Sequence, residues 1–198
     1  MLSALPDDTS ARLLACARDL FLREGLAGFS MRKVAGAAGV SAPAIYRHYD
    51  DREALLFAVA EEGFRRFGEH LATGLDAPDA LTRLHGTGDG YLRFALDHTD
   101  YYRVIFMSES VCSQRFAEAA NARFGPTFQF LVDRVRECQE AGRVRAGDPA
   151  GLALSIWAHC HGLASLWIGG HLQSLQEQAA FEAFFRDSVR GFVAGLHP

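Results

Sequence analysis

The feature that most restricts what this chain can fold into is residues 30–49, Ser-Met-Arg-Lys-Val-Ala-Gly-Ala-Ala-Gly-Val-Ser-Ala-Pro-Ala-Ile-Tyr-Arg-His-Tyr. It reads as two short helices joined at a glycine. Ser30 suits the N-cap of the first, because a hydroxyl there accepts from a backbone N–H that has no intrahelical partner. Val34, Ala35 and Ala38 then make one narrow apolar face. Gly39 stands where the chain must turn, and only glycine enters the left-handed region without steric cost. Ser41 caps the second helix, and Pro43 lies in its first turn, where a missing N–H costs little. Ile45 and Tyr49, four apart, face back onto the first helix. Ala42, Pro43, Ala44, Tyr46 and Arg47 lie on the other side. Small residues followed by an aromatic and cations suit an element that enters a DNA major groove and grips the flanking phosphates.

The rest of the chain supports an all-α fold. Its 198 residues can bury a substantial core, strand-like alternation is absent, and helix-forming Ala, Leu, Arg and Glu dominate. No charge-free apolar run is long enough to span a bilayer, and the N-terminus lacks a signal-peptide pattern, so a cytoplasmic protein is expected. Cys16, Cys112, Cys138 and Cys160 lie far apart with no Cys-x-x-Cys pair, which favours buried thiols over disulfides or zinc. The net charge of −4 argues against simple electrostatic binding to nucleic acid. Over residues 1–56, however, Arg12, Arg18, Arg23, Arg32, Lys33, Arg47 and Arg52 balance Asp7, Asp8, Asp19, Glu24, Asp50, Asp51 and Glu53. The acidic excess therefore lies wholly in the remainder.

Helix one is expected from about residue 10 to 24, with Leu13, Leu14, Ala17, Leu20 and Phe21 inward. Asp51 can cap a long fourth helix, and Asp79 a fifth to residue 97, where Gly86, Gly88 and Gly90 predict a kink or a close approach. A short helix follows from Asp100 to Glu109, and Gly125-Pro126 predicts the start of another. Asp148-Pro149 opens a nearly charge-free helix to about 169. A helix apolar nearly all round must be buried on several sides. With a last helix carrying Phe181, Phe184, Phe185, Val189, Phe192 and Val193, it predicts a homodimer interface in which Phe185 and Val189 take part.

Residues 11–25, Ala-Arg-Leu-Leu-Ala-Cys-Ala-Arg-Asp-Leu-Phe-Leu-Arg-Glu-Gly, and 46–56, Tyr-Arg-His-Tyr-Asp-Asp-Arg-Glu-Ala-Leu-Leu, flank the turn. The whole stretch from about Arg12 to Phe57 closely resembles the head of the tetracycline-repressor family. A looser resemblance covers the second half. Residues 157–167, Trp-Ala-His-Cys-His-Gly-Leu-Ala-Ser-Leu-Trp, with Tyr91-Leu-Arg-Phe-Ala, His98 and Tyr102-Arg-Val-Ile-Phe, look like that family's ligand-domain subfamily marked by a Trp…His-Gly signature. Thr99 departs from it, since a proline often follows the histidine. The resemblance implies that Ser30, Tyr46 and His48 grip phosphates while Ala42, Pro43 and Ala44 lie against base edges. Arg32 and Arg52 are the best phosphate or base contacts, with Ser41 and Arg47 beside them. Arg47 and Arg52 could instead be solvated charges paired with Asp50, Asp51 or Glu53, an alternative that weighs evenly only for Arg47 taken alone.

His159, Cys160 and His161 invite a metal, but positions two apart on a helix point to different faces. His161 packed against Trp157 is the more economical reading. Glu109, Cys112 and the histidines could be imagined as a catalytic set, yet no nucleophile motif, paired carboxylates or phosphate loop accompanies them, so an enzyme is not expected. Tyr102, Phe106, Met107, Phe116, Phe124, Phe128 and Phe130 are each core or, taken together with Trp157, the wall of an apolar effector pocket. The effector set is Tyr102, Phe106, Phe128, Trp157 and His161, with Tyr102, Arg103 and His161 as polar anchors.

The resemblance thus implies a one-component regulator, a repressor in the first instance. A helix-turn-helix domain over 8–57, continued by a linking helix to about 72, precedes an effector-binding and dimerisation domain over 79–196. The expected partners are double-stranded DNA, a second copy and a small apolar effector, with no cofactor, metal or membrane.

Overall fold

The computed structural model describes residues 8–107, 114–172, 175 and 177–198, with the side chains of 114–124 outside that description. Phe116 and Phe124 therefore lie outside the described side chains, and Glu109 and Cys112 outside the described residues. Every regular element among the described residues is helical: α1 Thr9–Gly28, α2 Met31–Ala37, α3 Ala42–Ile45, α4 Arg52–Leu71, α5 Ala80–Asp97, α6 Thr99–Tyr102, α7 Gln114–Glu140, α8 Pro149–Ile168 and α9 Gln178–Ala194. A 3-10 turn, Ala72–Gly74, follows α4, and a π-helical turn, Arg103–Met107, follows α6. The chain forms two compact units, Met1–Phe64 with Asp100–Ala120, and Arg65–Thr99 with Asn121–Pro198.

In the first unit, Asp8 caps α1 by accepting from the Ser10 N–H at 3.1 Å. Leu13, Cys16, Ala17, Leu20 and Phe21 are its buried face, so the expected stripe holds with Cys16 in place of the half-buried Leu14. Gly25, at φ 64°, interrupts the helix one turn before its end. Phe29 then folds under the chain, edge-on to Phe21 at 6.4 Å. Val34, Ala35, Ala38, Ile45, Leu55 and Val59 complete this core, each at most 4% exposed. Near the end of the unit α4 meets the π-helical turn closely: a β-carbon on Gly63 would lie 2.9 Å from Ile105 Cγ2.

In the second unit the glycines of α5 mark a close approach. A β-carbon on Gly86 would lie 2.8 Å from Gly74 Cα, and one on Gly90 would strike the His70 carbonyl. Asp79 caps α5 through the Thr82 N–H at 3.0 Å. Asp148 caps α8 through Ala150 and Gly151, with Pro149 in the first turn as the sequence predicts. Gly125-Pro126 does not start a helix; it lies inside α7. Proline there forfeits one backbone hydrogen bond, which a helix of 27 residues carries. The expectation for α9 also needs correcting. Phe181, Phe185, Val189 and Val193 face their own core, with Phe185 only 1% exposed. Their spacing of four puts them on one stripe, which the fold uses against α5 and α8. The large apolar side chains left outward on these helices are Phe184, Leu154 and Leu166.

Candidate functional site

The head is built around one turn. The Val40 N–H donates to the Ala35 carbonyl at 3.0 Å and the Gly39 N–H to the Gly36 carbonyl at 3.2 Å, with Gly39 at φ 68°. This pair of bonds closes the end of α2 and reverses the chain within two residues. Ser30 caps α2 by accepting from the Lys33 N–H at 3.3 Å. Lys33 itself donates at the surface to the Glu24 carboxylate at 2.5 Å and to the Gly28 carbonyl at 2.9 Å, which ties α2 to the end of α1. Hydrogen bonds from Lys33 and Arg23 hold the Glu24 carboxyl below its ordinary pKa.

α3 is a single turn, extended by hydrogen bonds from His48 and Tyr49 to the Ile45 carbonyl. Ile45 is fully buried, and the Tyr49 hydroxyl is 3.2 Å from that of Ser10, so both face inward as their spacing predicts. Ser41 precedes α3 but makes no side-chain cap hydrogen bond. Outward stand Ser41, Ala42, Pro43, Tyr46, Arg47 and His48, with Ala44 and Ser30 half-buried beside them. Arg32 projects from the first turn of α2 and is exposed. Arg52 opens α4, exposed, and donates weakly to the Leu26 carbonyl at 3.4 Å. Asp51 caps α4, its carboxylate accepting from the Ala54 N–H at 2.7 Å. Among the described residues neither Arg32 nor Arg47 has an ion-pair partner. Cations left without protein partners, round a short helix that starts with small residues, can meet phosphates and base edges.

The second unit contains a cleft of about 510 Å³, counting the part open to solvent. Phe67 and Leu71 of α4, Leu84, Thr87, Gly88 and Tyr91 of α5, Thr127, Phe128 and Leu131 of α7, Ile156, Trp157 and Cys160 of α8, and Val189 and Val193 of α9 line it. Few polar atoms face it. The Thr87 hydroxyl is tied to the Arg83 carbonyl at 3.0 Å, and the Tyr91 hydroxyl lies 3.1 Å from His161 Nδ1. Phe128 and Trp157 are therefore brought to the cleft. His161 stands behind its rim, one turn from Trp157 with ring centroids 5.4 Å apart, and burial pushes its imidazole below the ordinary pKa. Tyr102 and Phe106 lie in the first unit, where their rings pack 5.1 Å apart and Phe106 meets Phe64 edge-on. Arg103 is exposed in the same unit, and Phe130 lies under the Arg134 guanidinium.

Spacing alone could not select Phe67, Tyr91 or Ile156 as cleft residues, because an aliphatic or aromatic residue on a helix stripe looks the same against core or cavity. Tyr91 did carry a signal: a buried phenol needs a partner. His159 points away from His161, donating to or accepting from Ser188 at 3.0 Å and stacking on Phe192. No group of three His, Cys, Asp or Glu side chains among the described residues could hold a metal. Burial raises the Cys138 thiol to about 11 and the Cys160 thiol to about 12, so both stay protonated at neutral pH. No helix among the described residues is long and apolar enough to cross a membrane.

A glycine-turned helix pair with a solvent-facing second helix, in a chain that also holds a helical unit with an apolar cleft, defines a helix-turn-helix DNA-binding regulator. Two family profiles match the chain: "Bacterial regulatory proteins, tetR family" over residues 13–59, and "Tetracyclin repressor-like, C-terminal domain" over residues 84–192. The chain belongs to the tetracycline-repressor family of transcriptional regulators. It is 23% identical over 194 residues to the HTH-type transcriptional regulator UidR of Escherichia coli K12, covering 95% of this chain and 92% of that one. A solved protein of unknown function from Rhodococcus sp. RHA1 is 29% identical, with TM-score 0.77 and full coverage of both chains. The fatty acid degradation regulator FadR of Bacillus halodurans shares the fold at TM-score 0.83 and 16% identity, over 98% of this chain and 99% of that one.

Proposed function

We propose that this protein is a one-component repressor that binds a palindromic operator as a homodimer and is released by a small apolar effector. The DNA-binding domain spans 8–57 with its helical continuation to about 72. Residues 79–196 dimerise and hold the effector, in the manner of the Trp…His-Gly subfamily. The observation that carries the reading is the set of groups around α3, all exposed except the half-buried Ser30 and Ala44: Ser30, Arg32, Ser41, Tyr46, Arg47, His48 and Arg52 for phosphates and polar base edges, Ala42, Pro43 and Ala44 for close apolar approach. Alanine can offer a thymine methyl only apolar contact, so discrimination of G falls to Arg32 and Arg47.

Two copies would read successive major-groove faces, roughly 34–36 Å apart on B-DNA. An effector then acts by binding more tightly to a state whose heads no longer match that spacing, and it shifts the equilibrium only by that difference. The effector set is Tyr102, Phe106, Phe128, Trp157 and His161; support comes from Phe128 and Trp157, which line the apolar cleft, and from His161, which meets the Tyr91 hydroxyl at its wall. Selection of binding sites from random duplexes, followed by salt titration on the enriched sequence, tests the reading. Enrichment of an inverted repeat with half-sites one helical turn apart supports it; recovery of no common sequence overturns it.

A further inference from the structure

Beside the apolar cleft, a smaller recess of about 190 Å³ runs between α5 and α9. The two spaces share Gly88 and Val189. A β-carbon at 88 would stand 3.5 Å from Val189 Cγ1, in ordinary contact, so the glycine leaves the boundary between them unfilled. The recess differs sharply from the cleft in character, because His85, Asp89, Arg186 and Arg190 line it.

Its charges are not equivalent. Arg186 is held by Asp89 at 3.2 Å and by Glu182 at 3.1 Å, so its charge is answered within the fold. Arg190 is exposed and has no ion-pair partner among the described residues. His85 Nε2 is shielded from solvent without a hydrogen-bond partner among them. Burial first, and then the Arg190 charge, push the His85 imidazole below its ordinary pKa, so Arg190 is felt at His85. One unanswered cation beside a neutral imidazole, at the end of an apolar cleft, is a place for a single small anion.

We propose that cleft and recess form one ligand site for an apolar chain ending in a carboxylate, the chain in the cleft and the carboxylate on Arg190 beside His85. This rests on the effector reading above and gives the effector its chemical class. The recess amounts to about 190 Å³ even with the part open to solvent counted, which favours a bare carboxylate over a nucleotide-sized head.

The test uses the full-length protein with decanoate and its neutral isostere decanamide, titrated calorimetrically and into the operator complex. Decanoate is expected to bind more tightly than decanamide. Arg190→Gln should cut the ratio of the two affinities about tenfold, as loss of a charge-assisted hydrogen bond does. Arg190→Lys, which keeps the charge, should restore most of it. Equal affinities in the wild type, with a ratio unmoved by Arg190→Gln, overturn the carboxylate while leaving an apolar effector standing. If neither compound binds or weakens operator binding, the effector reading itself falls, and the proposal with it.

Discussion

The backbone of α5 at Gly90 lies directly against the carbonyl of His70: a β-carbon there would fall 2.1 Å from the carbonyl oxygen and 3.2 Å from Leu71 Cα. Backbone cannot step aside as a flexible side chain can. Gly90→Ala should therefore destabilise the fold by about 3 kcal/mol despite alanine's better helix propensity. Gly88→Ala, which meets only Val189 at 3.5 Å, should change stability by less than about 1 kcal/mol. Urea unfolding of the two variants checks this, and equal midpoints would refute the close approach.

The head offers a second paired comparison. Gly39 sits at φ 68° and Gly36 inside α2, and a β-carbon at either would meet nothing within 4 Å. Space being equal, only the backbone conformation separates them. Gly39→Ala should cost about 1 kcal/mol, and Gly36→Ala should gain up to about 1 kcal/mol. Thermal melts should move in opposite directions.

These glycines also show how far the amino-acid pattern could be read. Gly39 and Asp148-Pro149 announce local geometry, and local geometry needs no knowledge of the remaining chain. The run Gly86, Gly88, Gly90 announced a close approach, but not that Gly74 and the His70 carbonyl would supply it, because a partner distant in sequence leaves no periodic mark. Pro126 misled because the loss of one hydrogen bond is small against a long packed helix. The apolar character of Phe185 and Val189 suits a dimer face as well as it suits the core in which the fold buries them. Burial against self, against a partner and against a ligand all ask for the same side chains, so helical spacing fixes the stripe and not what covers it.

On the interface with DNA, Arg32 and Arg52 differ in their attachment. Arg52 donates to the Leu26 carbonyl, whereas Arg32 has no ion-pair partner among the described residues. Arg32→Ala should weaken operator binding and, if the contact is to phosphate, lower the slope of log affinity against log salt by about 1. Tyr46, 55% exposed, tests a hydroxyl alone. Tyr46→Phe should reduce affinity several-fold at constant slope, and an unchanged affinity would remove that hydroxyl from the interface.

Stability should fall on mild acidification. The His85 and His161 imidazoles lie below the ordinary value of 6.5 in the folded chain, through burial in both and Arg190 in the first. As pH falls through about 6.5 the unfolded chain takes up these protons first, which favours unfolding. The folded chain thus has its full stability from these groups above pH 6.5 and loses it progressively until its own lower values are passed. Urea midpoints at pH 7.5 and 5.5 measure the loss. A double variant, His85→Gln with His161→Gln, should flatten the dependence over that interval, and an equally steep dependence would assign it to other groups.

The last expectation concerns assembly, and it turns on two neighbouring phenylalanines of α9. Phe185 is 1% exposed and Phe184 44% exposed. Phe185→Ala should cost about 3–5 kcal/mol of folding stability by opening a cavity in its own core. Phe184→Arg removes nothing from that core, so the monomer should keep its unfolding midpoint. In a homodimer that covers the outward faces of α8 and α9, the same arginine would bury an unpaired charge. Sedimentation at fixed protein concentration should then show the Phe184→Arg chain shifted to monomer, with operator binding lost in step, because one short reading helix makes too few contacts. Leu154→Arg, on α8 at 51% exposure, repeats the test from the other helix. If both variants sediment as dimers, the second copy docks elsewhere, and the outward apolar side chains of α8 and α9 are not its contact.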